Sequence, residues 1–190
     1  MARAQFDRDD IIDKSIELFW QHGFSASSMQ QVVQTTGLKP GSIYLAFENK
    51  EGLFREALEV YARKSRAYIR QLLDSAPTIG EGLCRLFEAF IQQSTQKDYC
   101  SCFLVKTRLE LAAQGGELHA FASAKLDEVE ALLRNYLETE FDKSVSRQRA
   151  ASLMLHLFGV RVYGYQTGSA ERMRLGLRAG LPWLPWAQES

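Results

Sequence analysis

The chain has 190 residues, of which 46% are hydrophobic and 24% charged, and its formal net charge at pH 7 is zero. These values are typical of a globular protein with one or two domains, and four prolines without any low-complexity tract exclude long disordered linkers. The polar N-terminus is not a secretory signal, and no apolar run approaches the roughly 18 residues of a membrane span. We therefore expect a cytoplasmic protein without a membrane role.

Charge and cysteine content exclude two simple assignments. Residues 1–56 carry six basic and eight acidic side chains, so bulk charge does not predict nucleic-acid binding by this segment. The three cysteines are Cys84, Cys100 and Cys102, an odd number that does not indicate a disulfide framework. No second Cys or His pair has zinc-site spacing, so we expect neither a metal nor a cofactor.

The first two predicted helices have clear ends. Asp7 is placed to cap a first helix, which Gly23 ends. Ser28 to Gln31 form a capping box that opens a second helix, and Gly37 ends it. Apolar residues recur at helical spacing inside both segments.

A short third helix and a long fourth helix follow. Pro40 suits the first turn of the third helix, in which Ile43 and Phe47 are four residues apart and point inward together. Asn49 is placed to cap the fourth helix, predicted over about residues 50–73. Helix two, a turn and helix three then form a helix-turn-helix.

The rest of the chain also predicts helices, which makes the fold class all-α with about nine helices. Thr78 opens the fifth in a second capping box after a break at residues 74–81. The remaining helices are predicted at about residues 100–114, 117–140, 144 or 146 to 167, and from the cap Ser169 to Gly180. The final LPWLPW is not helical because Pro182 and Pro185 block a helix. It either packs across a dimer seam or forms a loose tail.

The third helix exposes several unusual residues. With Ile43 and Phe47 turned inward, its outward side and rim hold Lys39, Pro40, Gly41, Ser42, Tyr44 and Leu45. Gly41 has no side chain, so a phosphate can approach the backbone closely. Lys50 lies at a helix start, where backbone N–H groups also attract a phosphate.

Residues 23–54, GFSASSMQQVVQTTGLKPGSIYLAFENKEGLF, resemble the N-terminal domain of TetR-type transcriptional repressors. The resemblance covers the Gly-Phe pair, the serine pair, the Gly-Leu turn, Gly-Ser-Ile-Tyr, Phe and the final Lys-Glu-Gly-Leu-Phe, in that order. CFLVKTRLELA, residues 102–112, is similar to the start of the sixth helix in many members.

The resemblance implies a homodimer that binds a palindromic double-stranded DNA operator and releases it when a small-molecule effector binds. Residues 1–50, with the start of the linking helix, are the implied DNA-binding domain, and residues 51–190 hold the effector and the dimer seam. The implied phosphate contacts are Ser27 or Ser28, Tyr44 and Lys50, and the implied base-facing positions are Gln30, Lys39, Pro40, Ser42 and Leu45. Lys39 replaces a Ser or Thr cap and has no acceptor to offer, so we expect it to face DNA.

The C-terminal region carries weaker indications. The family places its dimer seam on the eighth and ninth helices, where glycines permit close packing, and our candidates are Leu153, Leu157, Val160, Arg161, Gly164, Leu175 and Leu177. Plentiful inward-facing aromatic residues with a few polar tips indicate an effector pocket. Its candidate residues are Phe87, Phe90, Tyr99, Cys102, Phe103, Phe121, Tyr136, His156 and Phe158.

Two alternative functions stay open at this point. Cys100 and Cys102 are expected near the start of the sixth helix, where a first-turn thiol is activated, and they allow a redox or electrophile sensor whose helix-turn-helix no longer binds DNA. An all-helical enzyme is the other alternative. It lacks a glycine-rich phosphate loop and any nucleophile, base and orienting group at a defensible spacing, so we expect no enzyme.

Overall fold

The computed structural model describes residues 7–187, which form nine α-helices and, within that range, no β-strand. The helices are α1 (Arg8–His22), α2 (Met29–Thr36), α3 (Pro40–Phe47), α4 (Lys50–Asp74), α5 (Ile79–Ser94), α6 (Phe103–Glu110), α7 (Glu117–Leu137), α8 (Lys143–Tyr163) and α9 (Ala170–Gly180). The predicted all-α fold is confirmed. No helix of the described part is long and apolar enough to cross a membrane.

The predicted helix starts and stops in the N-terminal region are confirmed by backbone contacts. The carboxylate of Asp7 accepts from the second and third N–H groups of α1. Ser28 and Gln31 form both hydrogen bonds of the capping box at α2. Gly37 adopts the left-handed conformation, with φ 73°, that ends α2. Asn49 accepts from the N–H of Gly52 and starts α4.

The first three helices pack against α4 around a small aromatic cluster. Phe54 on α4 lies edge-on to Phe19 of α1, with ring centroids 4.8 Å apart, and to Phe24 of the α1–α2 turn at 5.0 Å. Ile43 and Phe47 anchor α3 in the same core. Burying each of these side chains contributes about 1.5–3 kcal/mol before entropy is subtracted.

The remaining helices build a larger body on the rest of α4. Helices α5 and α7 contact α4, α8 packs against α5 and α7, and α9 covers α5 and α8. Helix α6 lies between α4 and α7 and reaches back to the end of α1. This arrangement puts α1, α4, α5 and α8 around one side of the molecule, where the ligand cleft described below opens.

Several predicted helix boundaries were wrong. Helix α6 starts at Phe103 rather than near residue 100. In the non-helical segment before it, the Ser101 N–H donates to the Tyr165 hydroxyl. Helix α7 ends at Leu137 rather than residue 140. Helix α8 starts under Asp142, whose carboxylate caps it, rather than at Ser144 or Ser146, and it ends at residue 163.

The C-terminal LPWLPW segment is non-helical, as predicted, and the suggestion that it forms a loose tail was wrong, whereas packing across a dimer seam stays a prediction. Leu181 and Leu184 are buried in the core of the same chain. The indole N–H of Trp186 donates to the Leu181 carbonyl, and its ring lies 6.1 Å from that of Phe87. Trp183 packs edge-on to the ring of Phe141, in the turn that follows α7. The segment therefore packs against the core of its own protomer.

Candidate nucleic-acid interface and adjoining cleft

Helix α3 is held from one side and open on the other. Ile43 is fully buried and Phe47 is 4% exposed, whereas Tyr44 is 53% and Leu45 is 85% exposed. Pro40 and Gly41 are also exposed, and Ser42 is half-buried. Lys39 occupies the cap position without a side-chain cap bond, as expected from its lack of an acceptor. The predicted outward-facing α3 is therefore present.

The serine pair before α2 divides into one buried and one exposed residue. Ser27 is 1% exposed and its hydroxyl donates to the Gly23 carbonyl at 2.6 Å, so the prediction that Ser27 contacts a phosphate is wrong for this conformation. Ser28 is exposed at the start of α2, and Gln30 is exposed on the same helix. Of the two serines, only Ser28 presents its hydroxyl and a helix N-terminus to a phosphate.

Lys50 stabilises the α1–α2 turn, a structural role that the sequence did not indicate. Its ammonium donates to the carbonyls of Phe24 and Ser27, each at 2.8 Å, and lies 4.2 Å from the centroid of the Phe24 ring. Burial lowers the pKa of Lys50, while the nearby Glu110 carboxylate raises it. Two of its three N–H donors are thus used to clamp the α1–α2 turn, and one is left for a phosphate.

The segment that contains α2 and α3 has no acidic residue, although the exposed Glu48 directly follows α3. Residues 24–47 contain no Asp or Glu, and Lys39 is their single charged residue. On α1, Arg8 forms a two-pronged ion pair with Glu56 at 2.8 and 2.5 Å, and the Asp13 carboxylate binds Lys64 at 2.6 Å. The formal charge of residues 1–56 therefore does not describe the surface around α3.

An open cleft of about 850 Å³ lies between α1, α4, α5, α8 and residues 96–100. Its lining is rich in aromatic side chains: Trp20, Tyr61, Tyr68, Phe90 and Tyr99. The volume lies within the range of small-molecule sites. Burial raises the pKa of Tyr61 well above its usual value, so this phenol stays neutral.

Of the nine predicted effector residues, the structure brings only Phe90 and Tyr99 into this cleft. The rings of Phe87 and Phe103 and the thiol of Cys102 are buried in the protein core. The others lie elsewhere: Phe121 beside Arg55, Tyr136 bonded to Asp74, Phe158 packed against the core, and His156 between α8 and α9. Helical spacing identified inward-facing residues without showing which of them share a cavity.

Arg161, a predicted dimer-seam residue, lines the cleft. It is 9% exposed, its guanidinium lies 3.6 Å from the centroid of the Phe90 ring, and Nη1 donates to Gln93 Oε1 at 3.2 Å. It lies on the inward stripe of α8, one turn after Leu157. The single chain therefore places Arg161 in the cleft, and its predicted contact with a second protomer gains no support.

The other seam candidates are mostly directed into their own protomer. Leu153 and Leu157 are buried in its core, and a Cβ added to Gly164 would lie 2.7 Å from the Tyr99 ring. Val160 and Leu177 form the floor of a groove of about 350 Å³ between α8 and α9. Exposed apolar side chains near this groove are Leu155, Val162, Tyr163 and the predicted Leu175.

The two cysteines of the sensor alternative have different environments. Cys102 is the buried cap residue of α6, and Cys100 lies before that helix rather than in its first turn. The Cys100 sulfur lies 3.0 Å from the Trp20 carbonyl and 3.1 Å from the Lys106 ammonium, and Cys100 lines the cleft. The predicted first-turn position is wrong for both residues.

Contacts between α6 and the end of α1 join the cleft to the helix-turn-helix. The Glu110 carboxylate accepts from the backbone N–H groups of Phe24 and Ser25 at 3.1 and 2.7 Å. The Lys106 ammonium donates to the carbonyl of Trp20, whose ring lines the cleft. Sequence reasoning missed these residues because each pair is more than 80 positions apart in the chain.

Comparison with known proteins independently supports a helix-turn-helix in the N-terminal region. The family model for bacterial regulatory proteins of the tetR family matches residues 11–57, which include α2 and α3. The HTH-type transcriptional repressor ComR of Escherichia coli is 36% identical over 115 residues, 60% of this chain and 55% of ComR. The HTH-type transcriptional regulator AcrR of Shigella flexneri is 26% identical over 177 residues, 88% of this chain and 78% of AcrR. The chain thus spans little more than half of ComR.

Solved structures match nearly the whole fold. A cysteine mutant of the TetR family transcriptional regulator CifR, complexed with 26-base-pair double-strand operator DNA, is 27% identical, with a TM-score of 0.80. The match covers 98% of this chain and 100% of CifR. The family model, the named regulators and the helical architecture agree: residues 11–57 match the tetR family model, and the described chain has the fold of TetR family transcriptional regulators.

Proposed function

We propose that the protein is a homodimeric, cytoplasmic repressor that binds a palindromic double-stranded operator and leaves it when a small molecule occupies the cleft. The observation that carries the proposal is the outward side of α3, which is anchored by two buried residues and lies in an acid-free segment. CifR, a relative of the same architecture, has been solved on operator DNA. Residues 1–50 with the start of α4 serve as the DNA-binding domain.

In this proposal α3 enters the major groove while α2 crosses the backbone. Lys39, Ser42 and Leu45 face base edges, with Pro40 and Gly41 close to the groove. Tyr44 and Ser28 donate to phosphates, and Gln30 reaches from α2. Lys39 is the single charged residue of this set, so shape and apolar contacts account for much of the operator preference.

The second copy is expected on the exposed side of α8 and α9. Leu155, Val162, Tyr163 and Leu175 form an apolar surface there, 47–71% exposed in the single chain. Covering such a surface is favourable, at about 25 cal/mol per Å² of apolar area. Two-fold symmetry then places the two α3 helices roughly 34–36 Å apart, in successive major grooves.

Release follows from the position of the cleft beside α1. A ligand in the cleft contacts Trp20, whose carbonyl is bound by Lys106. Helix α6 in turn fixes the α1–α2 turn through Glu110. A ligand that moves α1 relative to α6 therefore changes the spacing of the two α3 helices, and this lowers the affinity for a palindrome of fixed spacing.

Selection of bound fragments from random DNA tests the proposal. The expected result is an enriched palindrome with half-sites roughly 10 base pairs apart, bound with an affinity that falls steeply with salt. Enrichment of no sequence, or of a single half-site bound by a monomer, would refute it.

A second candidate function rests on Cys100, whose sulfur lines the cleft beside the Lys106 ammonium. In this version the thiol reacts with an oxidant and the modification, rather than a bound ligand, displaces α1. Mass spectrometry after mild peroxide distinguishes the two versions. An unmodified Cys100, or an oxidised protein with unchanged operator affinity, would exclude the thiol version and leave the repressor proposal intact.

A further inference from the structure

The cleft contains a largely buried positive charge without a counter-ion. Arg161 has five N–H donors, and within residues 7–187 its side-chain partners are the Gln93 amide oxygen and the face of the Phe90 ring. No carboxylate of the described chain lies within ion-pair distance of it. A cation removed from water without a paired anion lowers the stability of the empty protein.

A second arginine with low exposure, Arg66, has a carboxylate beside it, which Arg161 lacks in the described chain. The side chain of Arg66 is 16% exposed, and its Nη1 lies 2.5 Å from Glu128 on α7. None of the acidic residues that line the cleft forms an ion pair with Arg161. Asp13 is bound to Lys64 at 2.6 Å, and Glu17 and Asp98 line the cleft without forming an ion pair with Arg161.

The remaining lining specifies the body of the ligand. Trp20 of α1 lies edge-on to Tyr61 of α4, Tyr68 of α4 and Tyr99 of the segment before α6 also line the cleft, and Phe90 lies under the guanidinium. Rings of this kind stack well on flat apolar molecules. Tyr61 is half-buried and burial raises the pKa of its phenol, so it supplies a hydroxyl but no charge.

The geometry points to an organic anion with a flat, aromatic or similarly apolar body as the ligand of this cleft, with Arg161 as the counter-charge. A guanidinium binds carboxylate or sulfonate oxygens in a two-pronged geometry that an ammonium does not match. As the identity of the effector class, this inference rests on the proposed repressor function. As a binding property of the cleft, it is testable without DNA.

Two fluorescent dyes that differ by one anionic group provide the test. Anilinonaphthalene sulfonate and its neutral counterpart N-phenylnaphthylamine are titrated separately into the full-length protein. We expect the sulfonate to bind about tenfold more tightly or better, since a hydrogen-bonded charge contributes that much discrimination. In Arg161→Gln the two dyes should bind equally, and Arg161→Lys should keep an intermediate preference.

Thermal melting separates a ligand-binding role from a structural one. Arg161→Gln should melt at or above the wild-type temperature in the absence of dye, because an unpaired buried charge has been removed. The matched variant Arg66→Gln should melt lower and keep the wild-type dye preference, because it breaks an ion pair outside the cleft.

Four results would overturn the inference: equal binding of the two dyes to the wild type, no binding of either dye, an unchanged preference in Arg161→Gln, or a sharply lowered melting temperature in that variant. These failures are separate from failure of the repressor proposal. A protein that selects a palindrome but shows no anion preference refutes only the ligand class. A protein that prefers the sulfonate through Arg161 but selects no DNA refutes only the repressor.

Discussion

Helix α3 and the cleft represent two ways of building a functional surface. Helix α3 is eight consecutive residues, of which two are buried and the rest lie on the outward side or its rim. The cleft takes its lining from α1, α4, α5, α8 and the segment before α6. The first surface depends on a local anchor, whereas the second depends on how distant helices pack. A substitution in α3 should therefore leave the cleft largely intact, and a substitution in the cleft should leave α3 largely intact. Helix α1 contributes to the surroundings of both and connects them.

The largest expected effect comes from the anchor of α3. Ile43→Ala should lower the free energy of unfolding by about 2–5 kcal/mol, because it leaves a cavity under a fully buried position, and it should abolish operator binding. Leu45→Ala, two residues away and 85% exposed, should change stability by less than about 0.5 kcal/mol. Denaturant titration measures both. Loss of sulfonate-dye binding in folded Ile43→Ala would contradict the independence of the two surfaces.

The next largest effect is expected from a substitution at the contact between α6 and the α1–α2 turn. Glu110→Gln weakens two charge-assisted hydrogen bonds and should lower the free energy of unfolding by about 1–2 kcal/mol. A ligand in the cleft should then release DNA less completely, although dye affinity stays the same. Glu117→Gln, whose carboxylate is 83% exposed and 3.8 Å from Arg55, is the control. Full ligand response in Glu110→Gln would show that coupling runs elsewhere.

Removal of a single hydroxyl from α3 should have a smaller effect. Tyr44→Phe should weaken binding to all DNA sequences by about 1 kcal/mol, or roughly fivefold, because it removes one phosphate hydrogen bond. Stability and dye binding should not change, since the hydroxyl is exposed. Tyr68→Phe, in the cleft, is the matched control and should leave DNA affinity unchanged. A sequence-dependent loss in Tyr44→Phe would assign Tyr44 to base contact instead.

The smallest effect concerns an ion pair distant from both surfaces. Arg174 hydrogen-bonds Glu88 and lowers the pKa of that carboxyl group, despite an opposing effect of burial. The pair therefore stabilises the fold above the unfolded-state pKa of about 4.3, and this contribution disappears as pH falls through the lower folded-state pKa. Because Glu88 is 39% exposed, we expect only about 0.5 kcal/mol between wild type and Glu88→Gln at neutral pH. The difference should shrink as pH falls below about 4.3 and vanish once pH is below the folded-state pKa, as measured by denaturant titration.

The sequence predicted α3 well because every determinant is local. The capping box at Ser28, the left-handed Gly37 and the inward pair Ile43 and Phe47 act within a few residues of one another. Lys50 shows the limit of that reasoning: its position at the start of α4 was identified, but its bonds to carbonyls more than 20 residues earlier were not.

The cleft was poorly predicted because its members meet only after α1, α4, α5 and α8 have packed. Helical periodicity marked Phe87 and Phe90 alike as inward-facing, yet only Phe90 reaches the cleft. The sequence does not indicate which side of α8 Arg161 occupies. The helix has an inward stripe that includes Leu153, Leu157 and Arg161, and an exposed stripe that includes Leu155 and Val162.

Two copies of α3 are proposed to enter successive major grooves of one duplex, and hydroxyl-radical footprinting of the selected DNA can detect this arrangement. We expect two protected patches related by two-fold symmetry and centred roughly 10 base pairs apart, both lost in Tyr44→Ala while the protein stays folded. A single patch, a continuous featureless protection, or a footprint unchanged in Tyr44→Ala would contradict it.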